Sequence, residues 1–71
     1  MTKEEQIAIV SKHKQNIIDW LADWLSEENN EGRKDIIIRL VSLSDHDLLE
    51  ELGNLSSYYN PIEELNYYGV V

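Results

Sequence analysis

"RKDIIIRLVSLS", residues 33–44, decides the fold class of this 71-residue chain. Three isoleucines and a valine (Ile36, Ile37, Ile38 and Val41) favour a strand. A strand needs a partner, and the only candidate is the last stretch, "NYYGVV" at 66–71. As a helix the segment is apolar nearly all round, which suits the central element of a bundle. The favoured expectation is a helix from Arg33 to Leu43 in an all-α fold. The alternative is an α+β fold with a short 36–41/66–71 strand pair.

The flanking segments carry helix signals of their own. Upstream, Thr2 as N-cap and Glu5 three residues on form a capping-box pattern. Ile7, Val10, Ile17, Ile18, Leu21 and Leu25 then cluster on one side at 100° per residue, which predicts one helix over about 3–28. Lys14 interrupts this stripe, its stem packing and its amine reaching for water. "NNEG", 29–32, reads as a stop and turn. Downstream, Ser44 is the expected N-cap of a helix over 45–52, with Asp45 and Asp47 in the first turn. That helix ends at Gly53 as C′ or passes through it to about 59, since Leu48, Leu52, Leu55 and Tyr59 continue one face. In "NPIEEL", 60–65, Asn60 as N-cap, Pro61 at N1 and Glu63 at N3 agree on a last short helix over 61–67. The expected architecture is therefore a single-domain bundle of three to four helices covering residues 1–71.

Composition narrows the function classes. Without cysteine there is no disulfide and no thiolate zinc site. A chain this short has a small core and needs tight helix packing or self-association to be stable. The N-terminus has no long apolar run, so neither a signal peptide nor a membrane span is expected, and a cytoplasmic location fits. The formal charge is −8 and is unevenly placed. Residues 1–39 hold all six Lys and Arg against eight acids, while residues 40–71 hold six acids and no base. Such a half repels nucleic acid and anionic lipid and is complementary to a basic protein surface.

Catalytic and metal patterns are sparse. No glycine-rich phosphate loop and no His-Glu-x-x-His occurs. "SDHD", 44–47, could hold a metal through Asp45, His46 and Asp47, but a capped helix start explains it more simply. His13 reads as a flank or partial core residue rather than a base. The acid pairs lack the enclosed pocket that would separate their pKa values. Neither an enzyme nor a cofactor or metal is expected.

The aromatic residues carry more information. Phe is absent, and the rings are Trp20, Trp24, Tyr58, Tyr59, Tyr67 and Tyr68. Trp24 borders the apolar stripe and is expected in the core; Trp20 lies further round and is expected at the surface. Adjacent tyrosines cannot share one helix face, so one of each pair is expected to point outward. Asp19, Asp23 and Glu27 repeat every ~6 Å along one strip, close to the phosphate interval of a nucleic-acid strand.

Together these features point to a small acidic protein that binds and blocks a basic surface of a partner, in the manner of an inhibitor, antitoxin, immunity protein or phage anti-host factor. The partner would be a basic protein, including one that binds nucleic acid, with carboxylates imitating phosphates; direct contact with nucleic acid or membrane is not expected. The candidate binding residues are Asp19, Trp20, Asp23, Glu27, Asp45, Asp47, Glu50, Glu51, Tyr58, Glu63, Glu64 and Tyr68. The alternative is a homodimeric structural or regulatory protein with a Trp20/Trp24 seam.

Overall fold

Residues 33–41 are helical, and the chain is all-α. The computed structural model describes residues 2–55 and 60–71, Leu55 by its backbone alone. Among the described residues there are five helices and no strand: α1 (Lys3–Lys12), α2 (Lys14–Asn29), α3 (Arg33–Val41), α4 (Asp45–Leu55) and α5 (Pro61–Tyr67). The 36–41/66–71 strand pair does not form. The first of these segments lies in α3, and the second is divided between α5 and a turn.

The helix expected over 3–28 is two helices, broken at His13 with φ −112° and ψ 22°. No glycine or proline marks the break; tertiary packing accounts for it. An unbroken 26-residue helix would be about 39 Å long, whereas the whole molecule extends 33 Å. The break lets α1 pack chiefly on α4 while α2 packs on α3. The five helices exceed the expected three to four for this reason.

Local signals fix most ends. The Thr2 hydroxyl accepts from the Glu5 amide at 3.1 Å, and the Glu5 carboxylate accepts from the Thr2 amide at 3.3 Å. Asn30 ends α2 in the left-handed region at φ 55°, a conformation asparagine tolerates. Ser44 Oγ accepts from the Asp47 amide, capping α4. Gly53 is not a C′ residue: α4 passes through it to Leu55. The expected continuation to 59 falls on residues 56–59, outside the described residues. Asn60 Oδ1 accepts from the Ile62 amide at 2.9 Å, and Pro61 opens α5. At its other end Val70 N–H donates to Leu65 O and Gly69 N–H to Asn66 O, with Gly69 at φ 75°. These two bonds form a Schellman motif, which turns the final residues back onto the bundle.

Among the described residues the core is aliphatic. Val10, Ile17, Ile18, Leu21, Ala22 and Leu25 from the first two helices meet Ile36 and Leu40, then Leu48, Leu49 and Leu52, then Ile62 and Leu65. Neither an aromatic ring nor a polar side chain is buried among the described residues. The radius of gyration, 11.4 Å, matches the ~11 Å expected of a closed domain of this length. Among the described residues no helix is long and apolar enough to cross a membrane.

Candidate functional site

None of the described rings belongs to the buried core. Trp20 projects from α2, half-buried against the edge of the core. Tyr68 is the C-cap of α5, held there by the Schellman turn at Gly69. Its ring lies 5.8 Å from that of Trp20, tilted by 33°. Tyr67 meets Tyr68 edge-on, with centroids 5.2 Å apart and planes at 85°. Tyr67 is 76% exposed, Tyr68 56% and Trp24 37%.

Two expectations about these rings are overturned. Trp24, expected in the core, is exposed; Trp20, expected at the surface, is the half-buried one. The apolar stripe of α2 is covered by α3, and the C-terminal turn of α5 covers the flank that bears Trp20. Nor do Tyr67 and Tyr68 divide into one inward and one outward ring. Both rings, on the last helical residue and the C-cap of α5, sit outside and touch. Tyr58 and Tyr59 lie outside the described residues.

Several candidate acids are partnered within the chain. Arg33 bridges Asp19, at 3.5 Å, and Asp23, through a short contact from Nε. This bridge interrupts the expected uniform row of Asp19, Asp23 and Glu27. Asp45 takes the Lys14 ammonium at 3.2 Å, and the same ammonium donates to the Leu43 carbonyl at 3.1 Å. Lys14 thus reaches across to the α3–α4 corner as well as toward water. Glu50 accepts from Lys3 at 2.7 Å, which holds its carboxyl below the usual value. His46 lies 3.6 Å from Asp47 and 3.7 Å from Glu50, both through ring nitrogens. Glu51 is half-buried on α4.

The remaining candidates gather near the rings. Glu63 and Glu64 occupy the first turn of α5, one helical turn below Tyr67 and Tyr68. Glu27 is exposed three residues beyond Trp24 on α2. The structure therefore brings Trp20 and Tyr68 together with Tyr67, and sets Glu63 and Glu64 one turn before the two tyrosines on α5; Tyr67 and Trp24, the latter one turn along α2 from Trp20, were not among the expected binding residues. Trp24 was legible as the i+4 neighbour of Trp20; nothing in the sequence separated Tyr67 from Tyr68. Asp45, Asp47, Glu50 and Glu51 form a separate group on α4.

The α1–α2 corner and α5 flank an open cleft of about 290 Å³, lined by Ile9, His13, Ile62, Glu63, Asn66 and Val71. Among the described residues no cluster of His, Asp and Glu has the arrangement of a metal site. Comparisons with protein-family models, with curated proteins and with solved structures give no match to this chain.

Proposed function

We propose that this chain is a non-enzymatic binding protein that occupies and blocks a basic surface of a partner protein, in the manner of an inhibitor, antitoxin or phage anti-host factor. The observation that carries this reading is the exclusion of the described rings from the core. Tyr67, Tyr68 and Trp24 expose surface suited to a desolvated anchor, and the glutamates of α5 stand one turn away. Aromatic faces beside carboxylates attract lysine and arginine by cation–π and ionic contact. The net charge of −8 steers a basic partner from a distance and repels nucleic acid itself. Imitation of a phosphate row is the weaker part of the reading, because Arg33 neutralises much of Asp19 and Asp23.

The test is capture from cell lysate on the immobilised chain, in parallel with a Trp24→Ala/Tyr67→Ala chain. Neither residue belongs to the buried core, and circular dichroism verifies that the variant keeps its helices. A basic protein retained by the parent, lost by the variant and released as salt rises supports the proposal. Identical retention by both chains, insensitive to salt, overturns it.

A second reading, a homodimer, gains support from a different place than the Trp20/Trp24 seam. Ile38 and Val41 expose 62% and 55% of their surface on the outer side of α3. Ile38→Lys converts a dimer held by this face to a monomer, as read by light scattering.

A further inference from the structure

The cleft between the α1–α2 corner and α5 has the composition of a receptor for one long cationic side chain. Ile9, Ile62 and Val71 give it apolar walls, His13 lines it at the α1–α2 corner, and Glu63 and Asn66 line it from α5. Glu63 is exposed in the first turn of α5. No lysine or arginine lines the cleft, and residues 40–71 contain none to supply one. At about 290 Å³ it is at the lower limit of ligand pockets, room for a side chain rather than for a folded element.

We infer that the cleft receives an arginine side chain from a basic segment of the partner protein; the inference rests on the proposed function above. Ile9, Ile62 and Val71 contact the methylene stem, which is apolar and loses little by leaving water. The guanidinium meets the Glu63 carboxylate, where its planar fork makes paired, charge-assisted hydrogen bonds. The side-chain carbonyl of Asn66, one turn along α5, accepts a further N–H. Lysine offers a point charge without the fork, so arginine is the better fit. The same carboxylate repels phosphate-bearing ligands. The cleft gives the acidic surface a selectivity that net charge alone lacks, because a charge of −8 attracts any basic protein.

The experiment uses the full chain and a blocked heptapeptide with a central arginine among glycines and two outer lysines. A matched peptide carries citrulline, which keeps the shape of arginine and removes its charge. Methyl NMR of Ile9, Ile62 and Val71, with the two indole signals, follows both titrations. The arginine peptide is expected to shift the cleft methyls and to bind about tenfold more tightly than the citrulline peptide. Glu63→Gln is expected to remove most of that tenfold difference while leaving citrulline binding unchanged. Asn66→Lys, an exposed substitution that places an ammonium beside Glu63, is expected to block the arginine peptide; circular dichroism verifies its helix content. Shifts at the Trp24 indole with the cleft methyls unmoved overturn the inference and leave the basic-partner reading standing. Equal affinity for the two peptides, or binding indifferent to Glu63→Gln, also overturns it. A peptide that moves neither region does the same, and the basic-partner reading is then judged by the capture experiment alone.

Discussion

Lys14 shows how one side chain changes meaning between sequence and fold. In the heptad-like stripe of the first helical segment it is an interruption. In the molecule its ammonium bonds the Leu43 carbonyl, two residues past the end of α3, and the Asp45 carboxylate at the start of α4. It therefore ties the start of α2 to the corner between two other helices. Lys14→Met keeps the stem and deletes those bonds. The expected cost is about 1 kcal/mol, since the pair is only partly shielded from solvent. Urea unfolding measures it, and an unchanged midpoint would show that water replaces the ammonium without loss. The Lys3–Glu50 pair makes a prediction about pH. The hydrogen bond from Lys3, then its charge, lower the Glu50 pKa in the folded chain. A depressed carboxyl pKa contributes stability above its unfolded value, and this is lost as pH falls through the folded value. Lys3→Met is accordingly expected to be less stable than the parent at neutral pH, and the difference to shrink as pH falls below the ordinary glutamate range and through the lowered folded pKa. Unfolding midpoints of the two chains across that range test it; a constant gap would place the effect elsewhere.

At the scale of the element, Gly53 and Gly69 separate a helix interior from a helix end. Gly53 lies inside α4, and a methyl group added there meets nothing within 4 Å. Gly53→Ala is expected to stabilise the chain by about 0.5–1 kcal/mol, the ordinary gain of alanine over glycine in a helix. Gly69 also has open space around it but sits at φ 75°, where an L side chain is strained. Gly69→Ala is expected to destabilise by about 1 kcal/mol and to loosen the Schellman turn that presents Tyr68 to Trp20. Opposite shifts in thermal midpoint from the same substitution would establish both assignments; shifts of one sign would refute one of them. Gly53 also marks where sequence reading divides. Its use as a C′ residue was compatible with the local pattern, but Leu48, Leu52 and Leu55 continue past it and the helix follows them. The caps at Thr2, Ser44 and Asn60 were legible because each is a bond between a side chain and a backbone group within three residues. The break at His13 was not, because no local bond makes it. It follows from α1 and α2 having different partners, which only the assembled fold defines. The same holds for the rings. Periodicity set Trp24 beside the stripe, but which tryptophan is covered depends on where α5 ends, at Tyr67, far along the chain from both tryptophans.

The whole molecule carries fourteen acids against six bases, and this imbalance acts on folding and on binding with opposite sign. Lys3, Lys14, Arg33 and Arg39 each hold an acid, which organises the charge locally without removing the excess. In the compact state the excess acids repel one another more than in the extended chain, so net charge destabilises the fold. Across an interface with a basic protein the same acids attract. Salt screens both effects, since the Debye length falls from roughly 30 Å at 0.01 M to about 10 Å at 0.1 M, against a molecule 33 Å long. Raising sodium chloride from about 0.01 to 0.3 M is therefore expected to raise the urea midpoint of the free chain and to weaken its binding to a basic partner. Binding should weaken chiefly through a slower association rate, because steering is what screening removes first. The two measurements belong on one protein preparation in one buffer series. If stability and affinity rise together, contact between apolar faces governs the complex, and Ile38 and Val41 on α3 become the better candidates for the interface. If stability rises while the association rate falls, the acids act as the steering field for the aromatic side, and Glu63 and Glu64 are the first charges to neutralise in locating where the partner lands.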